Sequence, residues 1–471
     1  IRGVELNRVS FDRAKEKILS LLRNDFDEEQ SSELTDSWLV CGDYLLQSFN
    51  LVFDYVVGNP PYIRQESIPE VLLSEYKKHF TTIYDRADIY IPFIEKSLLH
   101  LSNGGALGFI CSDRWMKNRY GGPLRKMVAD NYHLKIYVDM VNTPAFHTDV
   151  DAYPAITVIT REKTAKTRVC HKPEIDGLKL RTLAKLLLSE EEHRDDNIKS
   201  AVNVNIVSGS RPWLMQSHEC LSLIRRLEER FPDLEKSGCK VGIGVATGLD
   251  EIFISSYDEM DVEADRKLPL VTTKDIRNGT VEWHGQGVIN TFSESGDLID
   301  LGNYPRLKRY LENKKELILK RHVARKSPDR WYRTIDRIYP PLAKIPKLLI
   351  PDIKGTPHIV YEPGEFYPHH NLYYILSYEW DLKALRSVLL SGIAQMFISA
   401  YSTRMRGDYL RYQAQHLRRI RLPRWSDIPS SMKNELLTTS ECSSQYEDLI
   451  FSLYGLSKTE ISIIKSFNIS K

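Results

Sequence analysis

The stretch Phe53-Asp54-Tyr55-Val56-Val57-Gly58-Asn59-Pro60-Pro61-Tyr62 sets the reading of the whole chain. Phe53 to Val57 is a short apolar run bounded by turn residues, the pattern of a strand buried in a sheet. The two prolines after Asn59 fix their φ angles and cannot donate hydrogen bonds, so a stiff loop leaves the strand end with its carbonyls turned outward. The Asn59 side-chain oxygen and the Pro60 carbonyl can then accept both N–H bonds of a planar exocyclic amine, while Tyr62 stacks on the ring that carries it. The competing reading is a strand-terminating Pro-Pro turn with no further role.

Around this stretch the first 165 residues alternate short apolar runs with amphipathic ones. Strands are expected over 2–6, 38–41, 53–57, 107–110, 135–138 and 155–159. Helices are expected over 10–22, with Ser10 as N-cap, and over 87–101 and 115–129. Strand and helix in alternation imply an α/β domain with a mostly parallel sheet covered on both faces, and ligands in such sheets sit at the carboxyl ends of the strands. Between residues 166 and 205 the apolar pattern weakens and an acidic run, Ser189 to Asp196, follows; a linker is expected there. From 206 to 430 short strands, many Tyr and Trp, and Gly/Pro turns indicate a mixed α+β domain, with one amphipathic helix from Pro305 to Val323. Residues 431–471 read as a C-terminal helical segment. Val241 to Gly248, with three glycines, resembles a phosphate loop but lacks the lysine and the strand-to-helix setting, so a turn-rich start to the second domain is favoured.

The net charge of +2 hides an uneven distribution. Residues 306–354 hold fifteen Lys/Arg against five Asp/Glu, and residues 404–424 hold seven against one, which leaves the remainder acidic. Clustered cations of this kind suit a polyanion, although a solvated basic face is the plain alternative. The six cysteines show no CxxC pair and no metal-type Cys/His spacing, which argues against a disulfide framework or structural zinc and for a reducing, cytoplasmic setting. The longest apolar stretch, Val388 to Ile398, falls well short of the ~20 residues that cross a bilayer, so no membrane partner is expected. The chain opens at Ile1 without a methionine, directly into a strand-like run, and its natural N-terminus is expected to be missing.

Asn59-Pro60-Pro61-Tyr62 resembles motif IV of S-adenosylmethionine-dependent amino methyltransferases, and its surroundings resemble the gamma class of DNA adenine-N6 methyltransferases. Gly3-Val4-Glu5-Leu6 is similar to motif II and Gly42-Asp43 to motif III, which implies cofactor binding by Glu5 (ribose) and Asp43 (adenine). Asp88 to Phe93 resembles motif V and Gly104 to Ile110 motif VI. Ala145-Phe146-His147 resembles motif VIII, whose aromatic, here Phe146, would stack on the second face of a flipped base; a core role for Phe146 stays open. Val241 to Ile254, Pro346 to Ile353, Asn371 to Tyr374 and Arg404 to Ile420 are similar to a TaqI-like C-terminal specificity domain of the kind fused in type II, IIG-like restriction-modification enzymes.

The resemblance implies a Rossmann-like methyltransferase sheet over 1–165, lacking its first strand and the glycine-rich motif I, and a target-recognition domain over 206–430. It implies methyl transfer from S-adenosylmethionine to N6 of a flipped adenine in double-stranded DNA, within a restriction-modification or phage-defence system, with Asn59, Pro60, Pro61 and Tyr62 catalytic and no metal. Without motif I, the chain alone is expected to be inactive. DNA contacts are expected from Arg306, Lys308 and Arg309, and from Arg404, Arg406, Arg411, Arg418 and Arg419. An upstream nuclease module or separate restriction subunit stays open as a partner. Three alternatives remain at this stage: transfer to cytosine-N4, to RNA or protein glutamine, or a DNA-binding specificity component with little catalysis of its own. Glu5 and Asp43 also read as plain strand-end carboxylates.

Overall fold

A computed structural model describes residues 1–467 apart from 142, 144–153, 163–165, 190–199, 205, 208, 278, 355–357, 403–409 and 439–443. The chain forms two compact units, Ile1–Ser217 and His218–Lys471.

In the first unit, β1 (Gly3–Glu5) and β2 (Leu39–Cys41) form a parallel pair in which Glu5 lies opposite Cys41. They are joined by helices α1 (Arg8–Leu22) and α2 (Glu28–Trp38). The cap of α1 is Asn7, whose side chain accepts from the Ser10 N–H at 3.0 Å, and not Ser10 itself. An amide three residues earlier satisfies the free N–H groups equally well, and the first helical turn starts before the apolar face does.

A six-stranded sheet follows, built from β3 (Phe53–Gly58), β4 (Leu101–Ser112), β5 (His133–Asp139), β6 (Pro154–Thr160), β7 (Lys166–His171) and β8 (Ser200–Val204), in the order β3-β4-β6-β5-β7-β8. Only β3–β4 and β5–β7 pair in parallel; β6 runs antiparallel between β4 and β5, so the sheet is mixed and not mostly parallel. Alternating apolar runs do not reveal strand direction when both faces are covered. One face is closed by α4 (Tyr90–Leu99), which buries Tyr90, Ile91, Ile94 and Leu98, and by Trp115 and Trp213, whose rings meet at 5.3 Å. The other carries Leu183 and Leu187 of the helix Gly177–Leu188 against Ile136, Val138 and Cys170.

The linker expected over 166–205 is therefore largely part of this unit. β7 and β8 extend the sheet, and the helix between them covers it. Ile206, Trp213 and Met215 also sit in the first core, which moves the boundary from 206 to Ser217. The short apolar runs Thr167 to Cys170 and Leu180 to Leu188 are hidden from a pattern reading by their charged neighbours.

The second unit holds two four-stranded sheets. One has the order β17-β15-β19-β9, from Val360–Glu362, Lys347–Pro351, Leu372–Ser377 and Cys239–Ile243. The other has the order β10-β14-β11-β18, from Ile254–Ser256, Gln286–Ile289, Lys267–Val271 and Tyr367–Pro368. Small pairs β12–β13 (Ile276–Arg277, Thr280–Val281) and β16–β20 (Ile353–Lys354, Leu410–Arg411) complete it. Gly242 and Gly244 serve packing and not a phosphate: a Cβ on Gly242 would lie 2.1 Å from the Tyr374 ring, and one on Gly244 2.2 Å from the His369 carbonyl.

The helix expected over 305–323 is three short ones, Pro305–Glu312, Lys315–Leu319 and His322–Lys326. Among the described residues no single helix is long and apolar enough to cross a membrane. The apolar pair Leu382–Leu390 and Gly392–Tyr401, bent by 62°, is mostly buried.

Candidate functional site

The Asn59–Tyr62 loop leaves the carboxyl end of β3 beside the parallel strand β4, with Gly58 opposite Phe109. Gly58 packs closely on Phe109: a Cβ there would sit 3.2 Å from its ring, which would have to shift by a few tenths of an ångström. Pro60 is buried and anchors the loop, whereas Asn59 is exposed and its side chain has no hydrogen-bond partner among the described residues. Tyr62 is 38% exposed; its hydroxyl reaches the Ile110 carbonyl at only 3.4 Å, and partial burial, with a smaller effect of the Cys111 thiol, pushes its pKa up to about 12. The phenol is therefore neutral at any ordinary pH. The loop continues to Ile63, whose carbonyl accepts from the Ile89 N–H at 3.0 Å and so ties it to the entry of α4.

Asp43 follows β2 and is tightly held. Its Oδ1 accepts from the Leu45 N–H at 2.8 Å and its Oδ2 from the Tyr76 hydroxyl at 2.5 Å. Lys96 of α4, buried, donates to the Leu45 carbonyl at 3.0 Å and to that of Gln47, which fixes the same loop from beneath. Burial lowers the lysine's pKa, and Asp43 partly opposes the shift. Glu5, at the end of β1, accepts from the Asn7 N–H at 2.8 Å, while its carbonyl accepts from Gly42 at 3.0 Å. Glu5 and Asp43 thus lie at the carboxyl ends of adjacent parallel strands.

Leu45, Tyr76, Phe80 and Ile89 form one apolar cluster that packs the Asp43 loop against the segment following Tyr62. Tyr76 comes from helix α3 (Glu70–His79). Buried Glu95 of α4 accepts four hydrogen bonds from the backbone and hydroxyls of Thr81 and Thr82, and so fixes the far end of that segment.

Asp113, just past the end of β4, is buried and accepts from the Tyr137 hydroxyl at 2.8 Å. Burial raises its carboxyl above the usual range against the pull of Lys117 and the Tyr137 bond. Nearby Asp139 ends lower than usual: burial pushes it up, but bonds from His171 and the Val141 N–H outweigh that. Tyr76, Lys96 and Asp113 have no signature in the sequence, since each acts through a partner far away along the chain, as Tyr76 does through Asp43, 33 positions before it.

Phe146, Arg404 and Arg406 lie outside the described residues. Of the other expected DNA contacts, most have partners within the chain. Arg306 and Arg309 both bind Asp261. Arg411 pairs with Asp352, Arg418 with Glu235 at 2.9 Å, and Arg419 lies over the Tyr401 ring at 5.3 Å. Lys308 is exposed and unpartnered among the described residues.

Comparison with known proteins follows the same division. Residues 4–146 match the Eco57I restriction-modification methylase family and residues 268–422 the TaqI-like C-terminal specificity domain. The chain is 56% identical to the type II methyltransferase M.PaeR7I of Pseudomonas aeruginosa over 98% of its own length and 81% of that protein's. It is 48% identical to M.XhoI of Xanthomonas vasicola over 98% and 86%. A solved structure of the type IIL restriction-modification enzyme MmeI in complex with DNA shares its fold, with a TM-score of 0.61 at 12% identity, over 94% of this chain and 62% of that one. The methylase match over the residues that carry Asn59 to Tyr62, the specificity-domain match later in the chain, and relatives about half identical over 98% of this chain place it in the type II methyltransferase family of restriction-modification systems.

Proposed function

We propose that this chain methylates the N6 amine of an adenine swung out of duplex DNA, with S-adenosylmethionine as donor and the second unit as the target-recognition domain of a cytoplasmic restriction-modification system. The observation that carries the reading is Asn59: an exposed side-chain amide with no partner among the described residues, on a proline-stiffened loop at a strand end. A hydrogen-bonding group left unpaired on a rigid element is placed to meet a ligand.

The residues present fit the cofactor. Asp43, rigid through Tyr76 and Leu45, and Glu5 beside it offer carboxylate acceptors of the kind an adenosine's amine and hydroxyls need. When bound, S-adenosylmethionine supplies an electrophilic methyl group on a sulfonium.

The adenine amine is a poor nucleophile because its lone pair is delocalised into the ring. Asn59 Oδ1 and the Pro60 carbonyl accept its two N–H bonds, which draws the nitrogen towards the pyramidal shape of the transition state. Tyr62 offers its ring face to the extruded base and returns roughly 1 to 3 kcal/mol of the few kcal/mol that extrusion costs. No residue here needs to form a covalent intermediate.

The test is to incubate the full-length enzyme with duplex DNA and radiolabelled S-adenosylmethionine, digest the DNA and separate the nucleosides. Label in N6-methyldeoxyadenosine is expected. Label in N4-methyldeoxycytidine would move the target base, and label on RNA or protein but not DNA would move the substrate. DNA binding without any label would favour a specificity component.

A further inference from the structure

The specificity unit contains a cluster that methyl transfer does not use. Asp250, opening the short helix Asp250–Phe253, and His369 and His370, between β18 and β19, each present a ligand atom, and these atoms all lie within 4.8 Å of one another. Asp250 Oδ2 is 3.2 Å from His369 Nε2. That separation is close to the ~3.3 Å edge of a tetrahedron whose metal–ligand bonds are about 2.0 Å. Asp250 Oδ1 is held at 2.5 Å by the Thr247 hydroxyl, so the carboxylate is oriented before any ion arrives.

The histidines are as firmly set. The His369 N–H donates to the Val271 carbonyl at 2.9 Å and the His370 N–H to that of Val245 at 3.0 Å. The Gly244 backbone packs so closely on the His369 carbonyl that a side chain there is excluded. His369 is only 8% exposed, yet its Nδ1 has no hydrogen-bond partner. Nε2, which faces the Asp250 carboxylate beside a second imidazole, is the nitrogen placed to share an ion with that carboxylate.

We propose that Asp250, His369 and His370 bind one divalent transition-metal ion of the zinc type, through one carboxylate oxygen and one nitrogen of each imidazole. Two nitrogens and one oxygen suit zinc, cobalt or nickel, whereas magnesium and calcium take oxygen donors. Three protein ligands leave a further position for water or a phosphate oxygen. The ion joins two segments 119 residues apart, the turn after β9 and the approach to β19, and so braces the specificity unit where those segments meet. Sequence spacing gives no hint of it, because two ligands are adjacent and the third is remote.

The test uses the whole chain. After chelator treatment it is dialysed against graded zinc and the bound metal is measured by atomic emission. One zinc per chain is expected, bound at least tenfold more weakly by Asp250→Asn and by His370→Ala, and unchanged by His322→Ala, a control at an exposed histidine. X-ray absorption of the zinc-loaded wild type should show two imidazoles with oxygen and no sulfur. Less than half an equivalent of zinc, affinity unaltered by both substitutions, or sulfur in the coordination shell would each overturn the assignment.

Discussion

Tyr62 has two separable parts. Its hydroxyl lies 3.4 Å from the Ile110 carbonyl, at the far limit of a hydrogen bond, and stays protonated because its pKa is pushed up to about 12. Its ring is the part a base would meet. Tyr62→Phe should therefore keep methyl-transfer turnover within a few fold, while Tyr62→Ala should lose roughly 1 to 3 kcal/mol of transition-state stabilisation, read as kcat/KM on the cognate duplex. Asn59→Ala should cut turnover below a tenth of wild type with DNA affinity held within a few fold, since it removes an acceptor and no phosphate contact; retained turnover would remove Asn59 from the mechanism. Asp113 supplies a test of pH. Its folded pKa is raised, so the fold is destabilised relative to the unfolded chain as pH climbs from the ordinary value near 3.9 through the folded one. Asp113→Asn should accordingly gain stability over wild type in urea unfolding above that window, and the gain should vanish as pH falls below it.

At the scale of elements, the helix Pro305–Glu312 is fixed less by its own cap than by acidic residues outside it. Glu263 accepts from the Arg306 and Leu307 N–H groups at 2.8 and 3.0 Å, and Asp261 holds both Arg306 and Arg309. The next break, at Arg321, is tertiary: its buried guanidinium donates to the carbonyls of Thr247, Trp331 and Arg333, and its backbone turns extended to allow it. An apolar stripe cannot report such a demand, which is why one helix was expected over 305–323. The strand ending at Gly58 was legible as a strand because its signal is local, a short apolar run closed by Asn59-Pro60-Pro61-Tyr62, but its expected burial is not found: it is an edge strand with Tyr55 and Val57 79% and 81% exposed, since an apolar run alone does not say which faces are covered. Helix α2 was not, since its burial is limited to Ser31 and Thr35 and no apolar stripe marks it. Lys347 of β15 shows the cost of a long-range demand in energy. It is fully buried against Glu362 of β17, whose other oxygen accepts from the Gly364 N–H at 2.8 Å. Lys347→Ala would leave that carboxylate buried without its cation and should cost about 3 to 5 kcal/mol in denaturant unfolding.

At the scale of the whole molecule, charge counted along the sequence overstates the charge available to DNA. The two basic stretches fall in the second unit, but Arg306, Arg309, Arg411 and Arg418 are each engaged by a carboxylate, and Arg421 lies 3.9 Å from Glu228. An arginine already paired releases fewer counterions from DNA than a free one, so its removal should lower stability more than it lowers the salt dependence of binding. Lys308, Lys314 and Lys320 are exposed and have no such partner among the described residues. The two sets therefore make opposite predictions. Replacing the three lysines together by Ala should flatten the plot of log affinity against log salt by about two to three units and weaken binding to every duplex alike, with the melting temperature unchanged. Replacing Arg411 and Arg418 should leave that slope nearly as it was and lower the melting temperature. If the triple lysine variant binds DNA with wild-type affinity and slope at ~50 mM salt, where phosphate contacts are strongest, then the segment from 308 to 320 does not face DNA, and the excess of positive charge there is a solvated surface.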